Sequence, residues 1–242
     1  MKVVSVNLNQ RLGNVAARSR FELWLQTHGP ELLVSQEPFK PRQESRPALA
    51  GYRLIGTSPL VSSWIADDSA PRSVIQHSDR WHEIRLGDVT VHNVYLSAHS
   101  SKDRRELLLR IAEKMAKIRE EPSIIVGDFN LAPGPEDGLF GDKFSEFTKP
   151  GERRAFAELI GAGGLADATC RTAGSPTEFT FERVQYGQHG RFRCDLALIS
   201  AALMDSATVA YDHSVRMGAG AFTDHSAIIV QVAAAEPLAA GV

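Results

Sequence analysis

The stretch EPSIIVGDFNLAPGP, Glu121 to Pro135, decides how this chain is read. A short apolar run, Ser123 to Val126, meets Gly127, and a carboxylate, an aromatic and a carboxamide follow at Asp128, Phe129 and Asn130. An apolar run of this length, bounded by glycine and proline, has the pattern of a buried strand. Gly, Asp and Asn also tolerate turn angles, and Asp or Asn side chains bond back to nearby amides, so the same letters fit a plain turn. The alternative is a rigid strand that projects Asp128 and Asn130 together into a cleft while Phe129 turns the other way into the core. The rest of the chain decides between them.

Working outward, Ser100 with Asp103 three places on forms a helix cap, and Leu107, Leu108, Ile111, Met115 and Ile118 recur at helical spacing as far as Arg119. Strands are expected at Val3 to Leu8, Glu31 to Gln36, Tyr52 to Ile55, Leu60 to Ile65, Trp81 to Leu86 and Val89 to Tyr95. Gly87 and Asp88 between the last two are a tight hairpin signal. Asn14 caps a helix carrying Phe21, Trp24 and Leu25, and a further helix is expected from about Arg153 to Ile160. Later strands fall near Glu178 to Phe181, Asp195 to Ile199, Thr208 to Tyr211 and Ala227 to Val232. Strands outnumber helices and no repeat or linker divides them. The expected fold is α/β (α+β), a four-layered α/β-sandwich of two packed mixed β-sheets flanked by helices.

The 242 residues, 43% hydrophobic and 23% charged, suffice for a sizeable core, so one domain over residues 1–242 is expected, with a flexible tail after about 233. A formal net charge of −2 is not the footprint of a dedicated nucleic-acid binder. Basic segments exist locally, at Lys102 with Arg104 and Arg105, at Arg153 with Arg154, and at Arg183, Arg191 and Arg193. Any one of them also fits an ordinary solvated face. Cys170 and Cys194 are too few and too separated for a disulfide framework or a zinc site, which fits a reducing, cytoplasmic setting. MKVVSVNLN has the pattern of a strand rather than a signal peptide, and no run approaches the ~20 apolar residues that cross a bilayer, so no membrane insertion is expected.

In a layered fold, loops at one end of the sheets gather distant side chains into one cleft. The first strand ends in Asn7 and Asn9 and the second in Gln36 and Glu37. Glu37 and Asn7 on adjacent strand ends offer hard oxygen donors of the kind Mg²⁺ prefers, and Asn9 could join them. Tyr95 ends a strand, His99 follows in its loop, Asp195 opens one strand, and Asp224 with His225 opens the last. Each has an ordinary reading as well, as an exposed loop residue or a core aromatic.

The ordered series VNLN, SQE, VYL, GDFN, RCDLALIS and TDHSAI resembles the endonuclease/exonuclease/phosphatase superfamily, from Asn7 to His225. Tyr95, standing at a strand end where other branches carry His, is similar to the exonuclease III and abasic-site endonuclease branch. The resemblance implies a DNase I-like sandwich and divalent-metal-dependent phosphodiester hydrolysis with Mg²⁺ or Mn²⁺. It implies Glu37, Asn7, Asn9 and Asp224 around the metal, Asp128 as the water-activating base with Asn130 beside it, Asp195 orienting His225, and Tyr95 as a donor. It further implies Phe181 and Phe192 as a stacking wall and Arg183, Arg191 and Arg193 as backbone contacts. Val6 where the family commonly has Trp, and Leu96-Ser97-Ala98 after Tyr95, depart from the repair enzymes. DNA is the first expected substrate, on Tyr95, Phe181 and Phe192; a small-molecule or lipid-headgroup phosphate ester, favoured by the acidic balance and these departures, is the second reading, and a non-catalytic interaction module the third.

Overall fold

The computed structural model describes residues 1–40, 46–141, 143–144, 148–169, 178–185 and 187–233. Cys170 and the expected tail lie outside them. The chain begins β1 (Lys2–Asn7), α1 (Val15–His28), β2 (Leu32–Gln36), β3 (Tyr52–Thr57), β4 (Val61–Ala66), β5 (Ser73–Ser78), β6 (Trp81–Leu86) and β7 (Val89–Tyr95). It continues α2 (Ser101–Lys117), β8 (Ser123–Asp128), β9 (Gly138–Phe140), β10 (Lys143–Phe144), α3 (Pro150–Gly163) and β11 (Leu165–Asp167). Last come β12 (Phe181–Gln185), β13 (Gln188–Phe192), β14 (Asp195–Ser200), β15 (Ala207–Asp212) and β16 (Ala227–Val232).

One six-stranded sheet has the order β15-β16-β1-β2-β4-β3 and the other β11-β14-β8-β7-β6-β5. Each is mixed, with a single parallel pair at its centre: β1 beside β2, joined through α1, and β7 beside β8, joined through α2. Strand runs such as VVSV, SIIV and AIIV are apolar on both sides because both faces are covered. Val3, Val34, Val91, Ile124, Val126, Ile228 and Val230 form one core cluster between the sheets. The alternate residues face outward: Val4, Val6 and Leu33 pack with Phe21 and Leu25 of α1. Ile125, Leu196 and Leu198 pack with Leu108, Ile111 and Met115 of α2 and Leu159 of α3. The expected caps are in place, Asn14 accepting from the Ala17 amide at 3.0 Å and Ser100 from the Asp103 amide at 3.1 Å.

The main differences from the sequence reading have local causes. The β5 strand was not expected; it lies at a sheet edge, where one-sided burial leaves its Ile75 exposed. A small sheet, β10-β9-β13-β12, was also not expected, being built from very short strands and a polar hairpin. The strand expected near Glu178 to Phe181 begins at Phe181, within that sheet, and the helix expected from Arg153 to Ile160 runs from Pro150 to Gly163, with proline in its first turn and Gly164 at its end.

Candidate active site

The two parallel pairs end at one rim of the sandwich. Their antiparallel neighbours β14 and β16 therefore begin there. This is why polar residues close some strands and open others. Across the strands Asp128 is in register with Tyr95 on one side and with Asp195 on the other. Glu37 directly follows Gln36, which pairs with Asn7. His225 precedes β16 and forms an isolated antiparallel bridge with Phe181.

Gly127 makes the Asp128 corner possible. Its φ is +149°, and a Cβ there would lie 2.0 Å from the Val94 carbonyl oxygen and 3.0 Å from the Gln36 amide nitrogen. Asn9, Glu37 and Asn130 also have positive φ, near +45°, as does Gln10 beside them; they are the non-glycine residues of that kind among the described residues. Three of these four sparsely populated backbone conformations thus fall on candidate site residues. Phe129 is fully buried in the helix-side core, as expected, with its ring 6.0 Å from that of Phe156.

Hydrogen bonds join these ends. Asn7 Nδ2 donates to Asp128 Oδ2 at 2.9 Å and, more weakly, to Glu37 Oε2 at 3.5 Å. Asn130 donates to Asp128 twice, from its backbone amide at 2.8 Å and its side chain at 3.0 Å. Asn9 Nδ2 donates to Asp224 Oδ2 at 2.9 Å. His225 Nδ1 lies 3.0 Å from Asp195 Oδ2, and the Phe181 ring stacks on the imidazole at 4.7 Å.

Burial and the facing Asp195 carboxylate push the Asp128 pKa up to about 7, against the opposing pull of His225 and the donors Asn130 and Asn7. Burial works against charge on His225 as well, but Asp195 and Asp128 outweigh it and raise its pKa well above the ordinary value. The Tyr95 phenol is raised by burial and by Asp128 and Glu37, so it keeps its proton. The site thus pairs a carboxyl that can accept a proton near neutrality with an imidazole that holds one.

The donor set fits a hard divalent cation. Glu37 supplies a carboxylate, and Asp224 leaves Oδ1 buried without a hydrogen-bond partner. Asn7 enters differently from the expectation, because its amide nitrogen faces the carboxylates while its oxygen accepts the Asn9 amide at 2.9 Å.

The expected substrate contacts divide. Arg193 is not one: it is 3% exposed, forked onto Asp137 at 2.8 and 2.9 Å and bonded to Asp167 at 2.8 Å. A guanidinium beside two carboxylates is a structural tie. Arg191 is half-buried with its guanidinium 5.2 Å over Phe179, whereas Arg183 is exposed on the β12–β13 hairpin. Phe181 and Phe192 are cross-strand partners, but Phe181 lies against His225 rather than forming an open wall. His99 is an exposed loop residue. Arg80 was not singled out from the sequence. Its guanidinium sits 5.1 Å over the Tyr95 ring with Nη1 buried and unpartnered. The turn Ser78-Asp79-Arg80 before β6 holds no motif, and only the pairing of β6 with β7 brings it there.

No curated protein matches the chain by sequence. Among solved structures it is similar to the 3′ phosphatase NExo from Neisseria, bound to a product DNA hairpin, at a TM-score of 0.77 and 21% identity over 96% of this chain and 99% of that one. An AP endonuclease from Archaeoglobus fulgidus matches at 0.75 and 20% over 96% and 99%. The AP endonuclease LMAP from Leishmania major matches at 0.71 and 15% over 95% and 86%. At these identities the likeness carries the fold. The model of the Endonuclease/Exonuclease/phosphatase family matches residues 4–225, from the first strand to the histidine opposite Asp195, and the chain belongs to that family.

Proposed function

We propose that the chain is a divalent-metal-dependent phosphodiester hydrolase acting on DNA, with Mg²⁺ or Mn²⁺ as its cofactor. The observation that carries this reading is the meeting of Asp128 with Asp195 on the adjacent strand and with His225 from the other sheet, a proton acceptor beside a proton holder. Asp128, steadied by Asn7 and Asn130, takes the proton of the attacking water. His225, oriented by Asp195 and backed by Phe181, donates to a phosphoryl oxygen. Tyr95 and Arg80 offer a hydroxyl and a cation to the phosphate or leaving oxygen. Glu37 and Asp224, with Asn7 and Asn9 around them, would hold a divalent cation, which would supply charge neutralisation at the phosphoryl oxygens.

DNA is favoured by a cavity of about 550 Å³ beside Asn9, lined by Arg11, Arg20 and Lys40, which extends cationic surface beyond the reacting centre. The solved relatives named for DNA processing support the same choice, and abasic sites and 3′ ends are the first lesions to test. A DNA-repair role in the cytoplasm accords with this substrate. The second reading, a small phosphate ester, is favoured by the loss of Arg193 and of the open Phe181 face as DNA contacts. A panel of duplex, abasic-site and single-stranded DNA, RNA and small phosphate esters, each with Mg²⁺, Mn²⁺ or EDTA, separates the readings. DNA cleavage abolished by EDTA is expected, with Glu37→Gln raising the metal concentration required. Turnover of small esters alone selects the second reading, and full activity in EDTA overturns the metal requirement.

A further inference from the structure

Two cysteines cannot build a cysteine-only metal site, but the fold adds other ligands to one of them. Cys194 directly precedes Asp195, and its thiol is buried beside the reacting groups. Ligand atoms of Asp128, Cys194 and His225 all lie within 4.8 Å of one another, the one such group among the described residues. Thiolate, imidazole and carboxylate are the tetrahedral zinc set, whereas Mg²⁺ takes oxygen ligands and is indifferent to sulfur. The Asp195 carboxylate holds Nδ1 of His225 at 3.0 Å, which leaves the other ring nitrogen for a ligand, the support that metal-bound histidines ordinarily have.

We propose that Asp128, Cys194 and His225 form a thiophilic-cation site, taking Zn²⁺ or a similar soft divalent ion, that shuts down the hydrolase by occupying its proton acceptor and its proton donor together. On binding, the thiol S–H bond and the N–H bond of the His225 ring nitrogen that faces away from Asp195 both break, a sulfur–metal and a nitrogen–metal bond form, and both protons leave to solvent; no electron is transferred. The site is distinct in ligand chemistry from the oxygen set at Glu37 and Asp224. Its inhibitory consequence rests on the hydrolase reading, whereas ion binding itself does not.

Two measurements separate these. Co²⁺ added to the intact protein should give a thiolate-to-cobalt charge-transfer absorption in the near ultraviolet, competed away by Zn²⁺, and absent in Cys194→Ser and Cys194→Ala although both retain Cys170. Circular dichroism confirms that each variant is folded, and having two substitutions guards against one that fails to fold. In saturating Mg²⁺ with buffered free Zn²⁺, turnover of the best DNA substrate should be inhibited in the parent at zinc levels at least about tenfold lower than in either variant. No absorption band, or the same band in the variants, overturns the site. Equal zinc sensitivity in parent and variants overturns the inhibitory role. A parent that turns over no phosphoester at all sinks the hydrolase reading, while the cobalt spectrum still decides the site.

Discussion

At the scale of single residues, Asp128 and His225 depend on each other's charge. The carboxyl must be ionised to accept a proton, so activity should climb as pH rises through about 7, the value to which burial and Asp195 lift Asp128. His225, raised above its ordinary 6.5, keeps its proton there and gives it up only at higher pH, where activity should fall again. Asp128→Asn should lower kcat by about 10² to 10⁴ without loss of the folded state, measured by steady-state kinetics beside thermal melts. A sharp fall in melting temperature with activity retained would make Asp128 a structural residue. The Phe181 ring on His225 leads to a second expectation. Phe181→Ala should slow DNA and a small diester alike, by about 10- to 100-fold, because it loosens the imidazole rather than a base-stacking wall. A loss confined to DNA would restore the wall.

At the scale of elements, the end of β8 is a packing problem solved by one glycine. Gly127→Ala forces a methyl against the Val94 carbonyl and demands a φ of +149° from an L side chain, so it should cost at least about 3 kcal/mol in chemical denaturation. A variant as stable as the parent would mean that β7 and β8 slide apart freely. Arg193 stitches the loop at Asp137 and strand β11 to the start of β14. Arg193→Ala leaves buried carboxylates without their cation and should cost about 3 to 5 kcal/mol, leaving the salt dependence of DNA cleavage unchanged. Arg183→Ala, on the exposed hairpin, should instead lower the salt slope by about 1 if it touches a phosphate. A shallower slope for the Arg193 variant would return that residue to the substrate.

At the scale of the whole molecule, the sheet interior carries its own pH response. His82 and His92 are held neutral by burial, each with its pKa lowered to about 4 from 6.5. Between those values the unfolded chain binds protons that the folded chain refuses, so stability should fall as pH drops from about 6.5 to 4. Asp128 acts in the opposite direction, since its raised pKa favours folding as pH drops below about 7, but it is one group against two. His225 contributes fully throughout that window because its pKa is raised. His92→Gln, which keeps an acceptor for the Trp81 indole, should flatten the decline in denaturant midpoint; an unchanged slope would exclude His92 as its source.

The layered sandwich was legible in the sequence because strands buried on both faces leave continuous apolar runs, and because Asn14, Ser100 and Gly87 mark element ends by local chemistry. The candidate residues Asn7, Glu37, Tyr95, Asp128, Asp195 and His225 were legible for a related reason: a polar group at the edge of an apolar run breaks a strong pattern. Their roles were not. Local sequence carries charge and shape, but partners arrive through strand pairing across the whole chain. Register set Asp128 between Tyr95 and Asp195, pairing of β6 with β7 brought Arg80 over Tyr95, and the small sheet turned Phe181 onto His225. Arg193 and Arg183 read alike as exposed cations, and only the fold, by setting Asp137 and Asp167 around the first, made one a buried tie and left the other at the surface.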